Sequence, residues 1–102
     1  MDKGVAIIVV KKFITFLKEN KFNIQNAYIF GSYAKRSFHE DSDIDLAIIM
    51  SNLLDTFNMQ VQLMKLGSKF DTRIEPHPFN ETDFNTSNPF ANEILRTGIQ
   101  IV

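Results

Sequence analysis

The sequence has 102 residues, of which 44% are hydrophobic and 23% charged, and its formal net charge is −1. These values fit one compact domain, expected over residues 1–102, and exclude a chain that binds free nucleic acid or anionic lipid through its overall charge. Cysteine is absent, which excludes disulfides and thiolate metal sites and favours a cytoplasmic location. The apolar run Val5 to Val10 is too short to span a membrane.

The first half of the chain predicts a helix, a strand, a short helix and a second strand. Apolar residues recur at helical spacing over residues 3–20. Residues 26–30 are rich in β-formers and end at Gly31, and a short helix can follow over residues 32–37. Residues 43–50 combine an apolar run with alternating polar positions, which indicates a second strand.

A third helix is predicted over residues 53–66. Phe57, Val61 and Met64 form one apolar stripe at helical spacing, which is the stripe expected to face the core. Leu53, Leu63 and Leu66 would widen that stripe. Gly67 stands where a helix commonly ends.

The last third of the chain predicts a strand over residues 70–75, closed by Pro76 and Pro78. The remaining predicted elements are a helical turn, a helix and a short terminal strand, at residues 81–84, 89–97 and 99–102. The order of these elements predicts an α/β (α+β) fold, with a small mixed sheet of about four strands and helices packed on it. The helices at 3–20 and 89–97 carry apolar residues that could form a homo-oligomeric interface.

Gly31 and Ser32 stand between a predicted strand and a predicted helix. A helix begins with unpaired backbone N–H groups, and a preceding glycine lets an anion approach the backbone closely. Ser32 adds a hydroxyl, and Lys35 and Arg36 add positive charge one turn later, so the segment can form a phosphate cradle. The alternative is that Gly31 only ends the strand and Ser32 only caps the helix.

Asp43 and Asp45 are two residues apart on a predicted strand, so both carboxylates point to one face of the sheet. Two like charges at this separation repel each other, and a bound cation removes that cost. Mg²⁺ suits the position because it prefers oxygen ligands and is commonly shared between carboxylates and phosphates. The alternative is a solvated polar strand face without a metal.

The stretch GSYAKRSFHEDSDIDL, residues 31–46, resembles the signature of the DNA polymerase β-like nucleotidyltransferases, in which Gly-Ser, a short helix and Ser-Asp-x-Asp-Leu follow one another. The positions that match are Gly31, Ser32, Ala34, Ser42, Asp43, Asp45 and Leu46. The small size is similar to that of the minimal nucleotidyltransferases of the antitoxin type, often paired with a HEPN-domain protein. The resemblance implies a nucleotidyltransferase-like fold. One position departs, because the family usually has a second glycine where this chain has Arg36.

The resemblance also implies a third carboxylate on a neighbouring strand, because nucleotidyl transfer of this kind uses two metal ions. The candidates are Asp71 and Glu75, which a strand over residues 70–75 would place on one face together with Arg73 and His77. Glu75 is preferred because it lies at the C-terminal end of the apolar run, although the family more usually has Asp. The alternative is that Glu75 pairs with Arg73 or with a lysine at a strand edge. His77 is left out of the predicted site, since a lone histidine more often serves packing.

The activity implied by the resemblance is transfer of AMP from Mg·ATP to a hydroxyl, with two Mg²⁺ ions as cofactors. Asp43, Asp45 and Glu75 would hold the metal ions, and Glu75 would help to deprotonate the acceptor. The expected β- and γ-phosphate ligands are Gly31, Ser32, Lys35 and Arg36. The expected acceptor is a side chain of a HEPN toxin partner, which would make this chain an antitoxin.

A second hypothesis is a binding module without transfer activity. In this case the domain neutralises a HEPN ribonuclease by direct contact, and its nucleotide site is catalytically weak or inactive. The departures at Arg36 and Glu75 favour this alternative somewhat. Transfer of labelled AMP to the partner separates the two hypotheses.

Overall fold

The computed structural model describes residues 1–35, 37, 39 and 42–102. It contains helices α1 to α4 and strands β1 to β4, with a 3₁₀ turn after β3. In chain order the elements are α1 (Lys3–Glu19), β1 (Ile24–Phe30), α2 (Ser32–Lys35), β2 (Ile44–Met50), α3 (Thr56–Gly67), β3 (Ile74–Asn80), the 3₁₀ turn (Glu81–Asp83), α4 (Pro89–Thr97) and β4 (Ile99–Gln100). The predicted order of helices and strands is therefore confirmed.

Within the described residues the strands form one mixed sheet in the order β3-β2-β1-β4. β1 is antiparallel to both β2 and β4, and β2 is parallel to β3. A parallel pair needs a crossover connection, and α3 supplies it between β2 and β3. The predicted mixed sheet with packed helices is thus the observed architecture.

The sheet buries both of its faces. Ile44, Leu46 and Ile48 of β2 belong to the larger core, together with buried residues of α1 and Leu63 of α3. The opposite face carries a smaller core, built from Ala47, Ile49 and Ile94 and surrounded by four aromatic side chains. These aromatic residues are Tyr28, Phe30, Phe79 and Phe84. β2 therefore lies between two apolar layers, which explains why it reads as a nearly continuous hydrophobic run.

α3 presents to solvent the stripe that the sequence pattern assigned to the core. Phe57, Val61 and Met64 are 73%, 36% and 46% exposed, whereas Leu63 is fully buried. The helix also begins later than predicted, because Asp55 is its N-cap and accepts a hydrogen bond from the Asn58 amide at 3.0 Å. The prediction for this face was wrong because α3 carries apolar side chains on both of its sides. Among the described residues, no helix combines the length and apolarity needed to cross a bilayer.

β3 does not end at the prolines. The strand covers Ile74–Asn80 and includes both Pro76 and Pro78, so the predicted bounds of 70–75 were wrong. In the described part of the sheet β3 is an edge strand with β2 as its neighbour. Proline has no amide proton, and an edge strand tolerates it because there is no second neighbouring strand that needs that hydrogen bond. Residues 70–73 precede the strand, which separates Asp71 from Glu75.

Candidate active site

Asp45 lies at the beginning of β2, between two strands that both contribute to its surroundings. Its neighbour across the antiparallel pair is Phe30 of β1, and its neighbour across the parallel pair is Glu75 of β3. Two residues further along, Ala47 is paired with His77. Because side chains alternate along a strand, Asp45, Glu75 and His77 point to the same face of the sheet.

These three side chains form a compact group, termed the Asp45–Glu75–His77 cluster. The His77 Nε2 atom lies 3.3 Å from Asp45 Oδ1 and 4.0 Å from Glu75 Oε1. One potential ligand atom from each residue lies within 4.8 Å of the other two. The side chains of His77, Asp45 and Glu75 are 25%, 28% and 41% exposed, so the group is partly open to solvent. Such a group can hold a cation.

The charges of both predicted aspartates affect the pKa of the Glu75 carboxyl. Its burial and then the negative charge of Asp45 raise the pKa of the Glu75 carboxyl, with a smaller contribution from Asp43, while His77 acts in the opposite direction. Asp43 itself is exposed and precedes the first residue of β2. The metal-binding geometry of the described residues brings together Asp45, Glu75 and His77, whereas the connection of Asp43 to this group is a smaller charge effect on Glu75.

Gly31 connects the Gly-Ser segment to this site. Its φ of 72° lies in the left-handed region, and an added Cβ would collide with the Asp45 carboxylate. Ser32 follows as the first residue of α2 and is half-buried. A glycine is therefore required at position 31 both by the backbone conformation and by the space next to Asp45. The two halves of the sequence motif meet at this contact.

Lys35, one of the two basic residues predicted for the phosphate cradle, pairs with a carboxylate of α4. Lys35 Nζ lies 3.4 Å from Glu93 Oε1 on α4, and its side chain is 55% exposed. Arg36 lies outside the described residues. The proposed role of both residues in phosphate binding stays a prediction.

Asp71, the other candidate for the third carboxylate, lies in the turn before β3. Both of its carboxylate oxygens accept hydrogen bonds from the Arg73 guanidinium, each at 3.0 Å. The backbone N–H of Arg73 donates to Asp71 Oδ1 as well, at 2.9 Å. The Arg73 side chain lowers the pKa of the Asp71 carboxyl. The structure thus gives Asp71 a role in the turn and places Glu75, but not Asp71, directly opposite Asp45.

His77 is the member of the cluster that the sequence interpretation missed. Its spacing from Glu75 already placed it on the same strand face, but it was left out because a lone histidine more often serves packing than metal binding. The imidazole also packs against the Phe30 ring, with centroids 5.1 Å apart and planes inclined by 62°. Recognising an edge strand that tolerates prolines would have included His77 in the site.

The mixed sheet and the carboxylates shared between β2 and β3 define the class of a nucleotidyltransferase. The sequence profile of the family described as "Polymerase beta, Nucleotidyltransferase" matches residues 11–102, and the chain belongs to this family. The match includes the Gly-Ser segment and all three predicted carboxylates.

Relatives that are similar to the chain include two curated proteins and a solved structure. The protein adenylyltransferase MntA of Shewanella oneidensis is 34% identical over 64 residues, which cover 63% of this chain and 46% of that protein. The chain therefore spans less than half the length of this relative. A protein of Methanocaldococcus jannaschii, provisionally named protein adenylyltransferase MJ0141, is 28% identical over 95 residues, covering 89% of this chain and 90% of that protein.

The solved structure is a toxin–antitoxin complex with AMP-PNP. One of its chains is 28% identical to this chain and superposes with a TM-score of 0.65, covering 89% of this chain and 70% of the other. At this similarity the common fold extends over most of the sheet and helices described above.

Proposed function

We propose that this chain is a metal-dependent nucleotidyltransferase that transfers AMP from ATP to a hydroxyl group of a HEPN toxin partner. The observation that carries the proposal is the juxtaposition of Gly31, Asp45 and Glu75, which come from three separate segments of the chain. The named relatives support the choice of AMP and of a protein acceptor, because one is a protein adenylyltransferase and one belongs to a toxin–antitoxin complex with an ATP analogue.

The donor set of the site fits magnesium. Asp45 and Glu75 offer carboxylate oxygens on adjacent strands, and Asp43 is close enough to affect the pKa of Glu75. Mg²⁺ prefers such oxygen ligands, with water and phosphate completing its shell. We assign these three carboxylates to two Mg²⁺ ions, as expected from the sequence. When bound, the ions neutralise phosphate charge and lower the pKa of the attacking hydroxyl.

The Gly-Ser segment is assigned to the far end of the triphosphate. Gly31 carries no side chain that would block the backbone next to Asp45, and the Ser32 hydroxyl can donate to a phosphate oxygen. Lys35 can join them from its ion pair with Glu93, because solvent screens a pair this exposed and leaves it weak. Arg36 completes the assignment made from the sequence.

The chemical step follows from these positions. The acceptor hydroxyl oxygen forms a bond to the α-phosphorus of ATP, and the bond from that phosphorus to the oxygen leading to the β-phosphate breaks, so that pyrophosphate leaves. The hydroxyl proton passes to the Glu75 carboxylate. Burial and neighbouring charges raise the pKa of Glu75, which makes its carboxylate a better proton acceptor. Asp45 lies beside it and orients the reacting groups.

The test is transfer of label from ATP, labelled at its α-phosphate, to a purified HEPN-domain protein of the same genome. We expect labelled partner with the wild-type chain and a loss of at least about 100-fold with Asp45→Asn or Glu75→Gln, because each change removes charge from the reacting centre. Asp83→Asn is the matched control, since Asp83 is exposed and lies in the 3₁₀ turn outside the site.

The contact hypothesis predicts a different result. The partner's ribonuclease activity would then be inhibited without any incorporated label, and inhibition would survive both Asp43→Asn and Asp45→Asn. That outcome contradicts the transferase proposal, whereas inhibition that requires ATP and is lost with Asp45→Asn supports it.

A further inference from the structure

The imidazole of His77 has no role in the transfer step proposed above, although it lies in the centre of the cluster. Its Nε2 atom faces two carboxylate oxygens, at 3.3 Å from Asp45 and 4.0 Å from Glu75. With its proton on Nε2, the neutral imidazole donates a hydrogen bond to Asp45 Oδ1. With its proton on Nδ1, the Nε2 lone pair and the two carboxylate oxygens lie within 4.8 Å of one another, which is close enough for all three to bind one cation.

The orientation of the imidazole is fixed by its surroundings. The Phe30 ring contacts the imidazole edge to face, with centroids 5.1 Å apart. On the other side of the strand, the Gln60 side chain of α3 donates a hydrogen bond to the Pro76 carbonyl at 3.3 Å, which ties the backbone next to His77 to the helix. His77 itself is paired in register with Ala47 of the buried strand β2. The position of Nε2 is therefore held by three separate elements.

We propose that His77 is an additional metal ligand at this site and that its imidazole, which the assignment of the carboxylates to Mg²⁺ leaves out, shifts the preference of the site from Mg²⁺ towards Mn²⁺. The proposal rests on the function proposed above, because it concerns the same metal site. Magnesium binds oxygen and retains its water, whereas imidazole is a good ligand for first-row transition metals. Among these metals Mn²⁺ also accepts carboxylate and phosphate oxygens readily, so it matches a set of two carboxylates and one imidazole.

The experiment is pulsed EPR of the purified chain with MnCl₂ as the only added metal. A bound imidazole gives a nitrogen coupling in the Mn²⁺ spectrum that oxygen ligands do not give. The chain contains two histidines, so the source of such a coupling can be assigned with two variants. His77→Asn removes the proposed ligand, and His39→Asn is the matched control in the segment before β2.

We expect the nitrogen coupling in the wild-type chain and in His39→Asn, and its loss in His77→Asn. Calorimetric titration with MnCl₂ and MgCl₂ should show that His77→Asn reduces the preference for Mn²⁺ by about tenfold or more, the usual scale for changes at metal-site residues. A wild-type spectrum without imidazole coupling would overturn the proposal, and so would a coupling lost only in His39→Asn. If His77→Asn fails to fold, the His39→Asn spectrum decides, because His77 is then the only histidine left in the chain.

Failure of this proposal can be told apart from failure of the proposed function. If labelled AMP reaches the partner but Mn²⁺ shows no imidazole coupling, only the assignment of His77 is wrong. If the coupling is present but no AMP is transferred under any metal, the metal ligand stands and the transferase proposal is wrong.

Discussion

Gly31 is the residue at which two requirements of the site coincide. Its left-handed φ of 72° ends β1 with a turn, and the missing Cβ leaves space for the Asp45 carboxylate. Gly31 and Asp45 are far apart along the motif, and the antiparallel pairing of β1 with β2 brings them together. This contact gives a physical reason why a Gly-Ser turn and an aspartate pair occur in the same short stretch of sequence.

Gly31→Ala should destabilise the fold and disturb the site. We expect a loss of about 1–3 kcal/mol in the free energy of unfolding, because alanine is strained at this φ and its Cβ collides with Asp45. Gly4→Ala is the matched control: Gly4 lies in α1, where an added Cβ makes only an ordinary contact, and the change should stabilise by up to about 1 kcal/mol. Urea unfolding of both variants measures the difference. Equal effects of the two substitutions would contradict this account of Gly31.

The Asp71–Arg73 pair should make stability depend on pH in the acid range. The pKa of Asp71 is lowered by the Arg73 hydrogen bonds, so the folded state favours the ionised carboxylate. The stabilisation is then complete above the pKa of the unfolded chain, about 4, and is lost as the pH falls through the lower folded pKa. Asp71→Asn should cost about 1–2 kcal/mol at neutral pH.

Urea unfolding of the wild type and of Asp71→Asn between pH 7 and pH 3 checks this expectation. The difference between the two proteins should shrink as the pH approaches 3, because protonation of Asp71 mimics the substitution. A difference that stays constant over this range would show that the ion pair does not contribute to the pH dependence.

At the level of residues, sequence reasoning predicted the carboxylates better than the imidazole. Asp43 and Asp45 were predicted from strand alternation, and Glu75, preferred for its place at the end of the apolar run, lies opposite Asp45 in the parallel pair. His77 was excluded by a general expectation about lone histidines. That expectation takes no account of which strands are neighbours in the sheet. The pairing of β3 with β2 brings His77 to Asp45.

At the level of elements, β3 shows how a local rule can fail. Pro76 and Pro78 are normally read as the end of a strand, yet both are buried within it. The rule concerns strands that need hydrogen bonds on both sides, and an edge strand has a free side. Edge position is a property of the whole sheet, so it could not be deduced from residues 70–80 alone.

α3 provides a direct test of which helix face is buried. Because Leu63 is fully buried and Phe57 is 73% exposed, Leu63→Ala should cost about 2–5 kcal/mol, whereas Phe57→Ser should change the free energy of unfolding by no more than about 0.5 kcal/mol. Thermal or urea unfolding of the two variants makes the comparison. The reverse order of effects would support the core-facing stripe expected from the sequence.

At the scale of the whole molecule, the sheet order explains how a small domain assembles the site. β2 occupies a central position and carries Asp45, with β1 on one side and β3 on the other. The turn after β1 supplies Gly31, and β3 supplies Glu75 and His77. The order of elements and the mixed sheet were predictable from sequence patterns, because apolar periodicity and breakers are local. The exposure of the apolar stripe on α3 and the edge position of β3 could not be predicted without the three-dimensional packing.

Since these segments meet only in the folded chain, a ligand held between them should stabilise the whole fold. A ligand that binds only the native state adds about 2.7 kcal/mol when present at 100 times its Kd. For a domain of 102 residues this corresponds to a rise in Tm of roughly 10 °C.

We therefore expect AMP-PNP to raise the Tm of the wild-type chain when Mg²⁺ or Mn²⁺ is present, and to lose this effect when EDTA is added. Asp45→Asn should abolish the shift, because it removes the carboxylate at which Gly31, Glu75 and His77 converge. Asp83→Asn, in the exposed 3₁₀ turn, should retain the full shift. Differential scanning fluorimetry across nucleotide concentrations measures all three proteins. An AMP-PNP shift that persists in EDTA or in Asp45→Asn would place the nucleotide away from the carboxylates and contradict the proposed site.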